Sequence, residues 1–342
     1  MSAHVRAERD GPLGTIVLDR PAALNALDLD MFRAVGAAVV RWRDDERVQT
    51  VTIRGVGRAF AAGGDVRAVR DAVLRGDEPF LRALYATEYG TDAVIAEYPK
   101  PYVALIDGVC MGGGLGLAMH GSFRVVTENA LLAMPETAIG FFPDVGCTHV
   151  LPRLPHRVGW YLGLTGYRMD AADALWCGLA THHVPANRLE ALHDALRDDP
   201  SPERVVPRFA VEPSPSRLAA DAHRIERYFG AASLDTVLAA LADADDAWAR
   251  ATLNTLRQRS PTALVATWAM FEHGARMPLR ACLGMELRMA RTMLASPDFT
   301  EGVRAVVVDK DRNASWRPAT VAEVDAAAIE RIVAAAAGGD PI

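Results

Sequence analysis

Lysine is nearly absent from this chain of 342 residues. Only Lys100 and Lys310 are lysines, and the other basic residues are arginine. Arginine and alanine richness on that scale reads as genomic base bias, so most arginines are expected to be ordinary surface charges. Cysteine is scarce too. Cys110, Cys147, Cys177 and Cys282 form no C-x-x-C pair, which argues against a disulfide framework or a zinc ribbon and for a reducing, cytoplasmic setting. Net positive charge is missing: the balance is −6, the wrong sign for a nucleic-acid-binding face. Also lacking is any run of 18 apolar residues. The best stretch, PYVALIDGVCMGGGLGLAMHG, is interrupted by Asp107 and rich in glycine, so no membrane span is expected. The N-terminus has charge but no apolar core, unlike a signal peptide.

Several chemical signatures are likewise absent. From Gly112 the sixth position is Leu117, and from Gly114 it is Met119, so the G-x-G-x-x-G dinucleotide fingerprint fails; no GK[ST] P-loop occurs either. Ser122, in HGSF, is out of frame for a G-x-S-x-G elbow. His182-His183 lacks metal-ligand spacing, so no metal is expected, and the pair is read as packing at a strand edge.

What is present is a globular composition, half hydrophobic with 23% charged residues. The first 185 residues alternate β-like runs at 14–19, 50–56, 102–108 and 123–129 with helical stretches. Met31, Phe32, Val35, Val39 and Trp42 share one helical face, with Asp28 or Asp30 as its cap. The pattern implies an α/β architecture. Residues 198–216, DDPSPERVVPRFAVEPSPS, carry five prolines and read as a linker or irregular crossing. Beyond it, amphipathic helices are expected near 218–229, 233–259, 261–275 and 279–295. The division is therefore an α/β core at 1–200 and a helical region at 210–342.

Two glycine junctions each follow a β-like run and precede a helical one: Ala62-Gly63-Gly64-Asp65 and Gly112-Gly113-Gly114-Leu115-Gly116. Such junctions expose backbone N–H groups to which a negative oxygen can bind, and two converging donors are what an oxyanion hole needs. The alternative is tight helix packing. The acidic candidates, Glu136 and Asp144, lie in the apolar stretch MPETAIGFFPDVG. Burial would raise a carboxyl pKa there, as suits a general base or nucleophile. Otherwise Glu136 is a helix-start charge and Asp144 a turn residue.

Together these segments resemble the crotonase (enoyl-CoA hydratase/isomerase) superfamily. LDRPAALNALD (18–28), AFAAGGDVR (59–67), KPYVALIDGVCMGGGLGLAMHG (100–121), AMPETAIGFFPDVG (133–146) and LTGYRMDAADALWCGLATHHV (164–184) follow its order. FTEGVRAVVVDKDRNASWRP (299–318) and the chain length point to the branch of 3-hydroxyisobutyryl-CoA hydrolases. The resemblance implies a spiral of ββα units with a helical C-terminal region, a trimer or hexamer, and a place in valine catabolism. It implies an acyl-CoA substrate, no cofactor beyond that CoA, and a thioester carbonyl held by the N–H groups of Gly64 and Gly113. Hydratases of the family carry a first glutamate where this chain has Gly116; only the second, Glu136, remains. One glutamate plus Asp144 matches thioester hydrolysis, with Asp144 meeting the substrate hydroxyl and Glu88 near the substrate. Hydration or isomerisation of an enoyl-CoA is the alternative, and a catalytically silent acyl-CoA-binding protein is a third reading. Ala62, Arg67 and Lys310 correspond to CoA-binding positions, whereas Lys100 reads as a solvated charge at a strand start. Cys147-Thr148-His149 departs from the branch, which carries small residues there, and would reshape the acyl pocket.

Overall fold

The computed structural model describes residues 2–342. They gather into two compact units. The first comprises the segment up to Asp65 with Ala86–Ala133 and Arg168–Ala219; the second comprises Val66–Tyr85, Met134–Tyr167 and Ala220–Ile342.

In the first unit, β-branched runs make the expected strands. A six-stranded sheet contains β1 (Val5–Asp10), β2 (Leu13–Leu18), β3 (Thr50–Gly55), β5 (Tyr102–Ile106), β7 (Phe123–Val126) and β9 (His182–His183), in the order β1-β2-β3-β5-β7-β9. Only the β1–β2 pair is antiparallel. The central strand β5 is apolar on both faces, as a strand covered on both sides is: Tyr102–Ile106 is buried throughout. A second, parallel sheet of three short strands contains β4 (Ala59–Ala61), β6 (Val109–Met111) and β8 (Leu131–Ala133). Thus β3 leads into β4, β5 into β6 and β7 into β8, the repeated ββ step of the anticipated spiral. His182-His183 forms β9 at the edge of the large sheet, as read from sequence.

Helix α1 (Leu29–Arg43) starts at Asp28, whose side chain accepts from the Met31 N–H, and it buries the five predicted positions together with Ala38. Asn25 explains part of the LNALD run. Its fully buried amide donates to the carbonyls of Val56, Ala59 and Phe60 at 2.8–3.2 Å, fastening the corner between β3 and β4. The proline-rich stretch is a crossing with a purpose: Val205 and Val206 pack with Leu13, Val103, Val125 and Leu196 in the core of this unit.

The second unit is helical. Helix α2 (Val66–Arg75) falls in it, and α3 (Glu78–Ala96) begins in it. Later helices include Val158–Thr165, Pro261–Gly274 and Leu279–Leu294. Trp160 packs on Trp268 and edge-on to Phe271, joining the first two of these. The stretch read as one helix at 233–259 is two, Leu234–Asp243 and Ala247–Arg257. The break comes at Asp246, which adopts an extended conformation and caps the second helix through the Ala249 N–H.

Candidate active site

The first unit brings the glycine junctions together. Leu27 bridges to Gly64 through two bonds, Leu27 N–H to the Gly63 carbonyl and Asp65 N–H to the Leu27 carbonyl. That pattern leaves the Gly64 N–H outside the ladder. Gly63 has φ +102°, which glycine adopts without strain, and a Cβ there would lie 3.1 Å from the Met111 carbonyl oxygen. The first junction therefore runs against the start of the second. Gly113 opens helix α4 (Gly113–Met119); the Leu115 and Gly116 N–H groups bond to the Gly112 carbonyl, whereas the Gly113 N–H precedes the first carbonyl that the helix can offer it. A Cβ on Gly113 would sit 2.3 Å from Glu88 Oε1 and 3.2 Å from the Phe32 ring. Glu88, on α3, is 5% exposed. Glu88 and Gly113, chosen separately from sequence, are thus neighbours. Ala62 lies in the first junction, beside Gly63, its N–H bonded to the Leu24 carbonyl.

The second unit holds the acids. Glu136 opens a single 3-10 turn, Glu136–Ile139, directly after Pro135. Downstream of it, Phe141 stacks on Phe142 and Tyr85 and meets Phe299 edge-on, so the FFPD stretch is bedded in aromatic surface. Glu136 is 7% and Asp144 6% exposed. Burial first, and then the charge of Asp144, pushes the Glu136 carboxyl well above the ordinary carboxylate range. Glu136 Oε2 is buried and has no hydrogen-bond partner among the described residues. A buried carboxylate oxygen left this way is a functional candidate.

Lys310 is exposed, and its backbone has φ +60°. Asp309 and Asp311, the acids beside it, both pair with Arg304 at 2.7 Å. Arg67 donates to the Val307 carbonyl at 2.9 Å, which brings it to the segment leading to Lys310. Lys100 corrects its sequence reading. It is half-buried, and its ammonium donates to the carbonyls of Trp42 (2.6 Å) and Asp45 (2.7 Å), closing the C-terminal end of α1 where a cation is favoured.

One residue of this region was missed. Glu286, fully buried on the helix Leu279–Leu294, accepts from the Gly146 N–H (2.7 Å), the Thr148 N–H (3.1 Å) and the Thr148 hydroxyl (2.6 Å). Burial raises its pKa to about 8, the charge of Asp144 adding to the rise while the three donors oppose it. A signal existed. Cys282, Met289, Ala290 and Met293 mark a buried stripe, and Glu286 is the one acid at its spacing. Cys147-Thr148-His149, expected as a pocket feature, form the short helix Cys147–Val150 that receives this clamp.

With that geometry in hand, comparison with known proteins is informative. Residues 13–333 match the family described as enoyl-CoA hydratase/isomerase. A Xenopus tropicalis protein named 3-hydroxyisobutyryl-CoA hydrolase, mitochondrial, is 43% identical over 92% of this chain and 84% of its own length. Two solved structures superpose closely. A carnitinyl-CoA dehydratase from Mycobacterium thermoresistibile has a TM-score of 0.92 and 35% identity, over 97% of this chain and 96% of its own. An enoyl-CoA hydratase from Rhodobacter sphaeroides has a TM-score of 0.91 and 37% identity, over 97% of both chains. No helix among the described residues is long and apolar enough to cross a membrane. The chain belongs to the enoyl-CoA hydratase/isomerase, or crotonase, family.

Proposed function

We propose that this enzyme hydrolyses the thioester of 3-hydroxyisobutyryl-CoA, or a close 3-hydroxyacyl-CoA, to the free acid and CoA, a step of valine breakdown. The carrying observation is the buried pair in the second unit: Glu136, with an unengaged carboxylate oxygen, beside the charge of Asp144. Hydration and dehydration, for which the two solved neighbours are named, call for a second acid after the glycine cluster. Here that position is Gly116, buried inside helix α4.

In this reading the Gly64 and Gly113 N–H groups receive the thioester oxygen. As the carbonyl carbon is attacked, charge builds on that oxygen, and one such donor contributes about 3 kcal/mol to the transition state. Glu136 either takes a proton from water, so that the hydroxide forms the new C–O bond, or attacks the carbon itself to give a mixed anhydride that water then opens. In both routes the C–S bond breaks and CoA leaves as the thiol after protonation. Both routes need Glu136 ionised. Its raised pKa therefore makes activity climb with pH above the ordinary carboxylate range. Asp144 meets the 3-hydroxyl and Glu88 lies near the acyl group, while Ala62, Arg67 and Lys310 serve the CoA handle. Four free, buried cysteines suit a reducing compartment; we assign the cytoplasm, and a trimer or hexamer by family likeness.

Release of free CoA thiol from a panel of acyl-CoAs, run beside hydration of crotonyl-CoA, tests the assignment. Thiol release that is fastest with the 3-hydroxy substrate and abolished by Glu136→Gln is expected. Hydration without thiol release would overturn it.

A further inference from the structure

The turn that carries Asp144 is held in an unfavourable shape. Its ends are closed by the Cys147 N–H donating to the Asp144 carbonyl at 2.9 Å. Both central residues have left-handed φ, Val145 at +55° and Gly146 at +88°. Glycine accepts this conformation readily. Valine, branched at Cβ, is a genuine outlier there. Such geometry persists only where surrounding contacts over-determine it.

One side chain makes three of those contacts. Glu286 reaches the turn from a helix some 140 residues later in the chain and accepts from three donors just after Val145: the N–H of Gly146, the N–H of Thr148 and the hydroxyl of Thr148. Both of its carboxylate oxygens are used, Oε2 by Gly146 and Oε1 by Thr148. Thr148, like Glu286, is fully buried, so water does not compete for these bonds. Asp144 also contributes to the raised pKa of Glu286, which places the two carboxyls within electrostatic reach.

We propose that Glu286 is a positioning residue that acts through Asp144, clamping the Asp144–Val145–Gly146 turn so that the aspartate stands where it can meet the substrate hydroxyl. The proposal rests on the reading of Asp144 given above. It also assigns a role to Thr148. In place of a small residue, the threonine supplies two of the three donors to the clamp.

Glutamine at 286 keeps the shape but turns an –NH2 toward one of the donors, opposing like to like. Thr148→Val removes the hydroxyl alone. The test measures kcat/KM for 3-hydroxyisobutyryl-CoA and for isobutyryl-CoA in wild type, Glu286→Gln, Thr148→Val, Asp144→Asn and the Glu286→Gln/Asp144→Asn double variant. We expect Glu286→Gln to lower the hydroxylated substrate's value at least tenfold more than that of the deoxy analogue, and Thr148→Val to do so to a lesser degree. The double variant should match Asp144→Asn alone. Equal losses on both substrates, or a double variant showing the full product of the two single losses, would assign Glu286 a purely structural role and overturn the proposal.

Amide hydrogen exchange reads the clamp without any substrate. Gly146 and Thr148 should exchange at least tenfold faster in Glu286→Gln, and unchanged rates overturn the clamp. If Asp144→Asn leaves the preference for the hydroxylated substrate intact while exchange quickens as expected, the fault lies in the reading of Asp144 and not in the clamp.

Discussion

Gly113 offers a sharp test because its N–H and its missing side chain make separate demands. Gly113→Ala keeps the N–H proposed to hold the thioester oxygen but places a methyl 2.3 Å from Glu88 Oε1 and 3.2 Å from Phe32. Carbon and oxygen need about 3.3 Å, so the buried Glu88 carboxylate must retreat by about 1 Å, or helix α4 must shift by as much. Alanine inside a helix is favoured over glycine by about 1 kcal/mol, whereas overpacking a tight site costs about 1–3 kcal/mol. A small net loss of stability is expected, readable in urea unfolding. The effect on turnover should be larger, since a displacement of about 1 Å at a reacting centre can cost about 100-fold in rate. Thiol release from 3-hydroxyisobutyryl-CoA by wild type, Gly113→Ala, Glu88→Ala and the double variant separates the two routes to that loss. If displacement of Glu88 is the cause, the double variant equals Glu88→Ala; if the N–H has moved, the double variant is slower. Gly113→Ala within twofold of wild type would refute the crowding and the loss of rate derived from it.

Further outcomes follow from the same structure. Lys310→Ala should raise KM for the CoA thioester with kcat nearly unchanged and leave the acyl-pantetheine substrate unaffected, the pattern of lost binding remote from the reacting bond; equal effects on both substrates would remove Lys310 from CoA binding. Lys100→Met should cost about 1–3 kcal/mol of stability, because the carbonyls of Trp42 and Asp45 lose a charged donor, with no change in KM, as checked by urea unfolding and steady-state kinetics. Glu136 and Glu286 both have pKa values raised by burial, Glu286 to about 8. The folded state therefore holds protons that the unfolded state has released, and through Glu286 stability should fall as pH rises from about 4.5 toward 8, by up to about 1.4 kcal/mol per pH unit, with Glu136 adding in the same direction. Glu286→Gln should flatten that slope, and identical slopes in unfolding experiments at pH 5 to 8 would contradict the raised value.

Local chemistry was legible in the sequence, and this covers much of the fold. The apolar stripe of α1 and its Asp28 cap follow from spacing alone, and the parallel strands from β-branched runs. β1 was missed for a physical reason. VRAERD lies at the sheet edge with little burial, so no alternation of apolar residues marks it. The three strands of the small sheet have only three residues each, too few to show a period. Nor does composition reveal that Met134–Tyr167 packs with the C-terminal helices while Arg168–Ala219 returns to the sheets.

The same distinction divides the site. Glu136, Asp144 and the two glycine junctions could be singled out because each sits in a run whose composition is unusual for its neighbours: acids in an apolar stretch, glycines where a strand meets a helix. Gly64 and Gly113 within the junctions came from family likeness. Glu88 was reached through family likeness, and the structure supplies its physical reason, a carboxylate that requires residue 113 to lack a side chain. Glu286 and Thr148 work across about 140 residues of chain, and nothing beside either marks the other. A buried acid in a helix stripe looks like a fault in an amphipathic pattern until its three donors are seen. Its burial works against folding at neutral pH, yet an apolar side chain there would leave the Gly146 and Thr148 donors buried without an acceptor. Three donors from the segment after Asp144 converge on this one acid, and that ties the identity of residue 286 to the shape of the Asp144 turn.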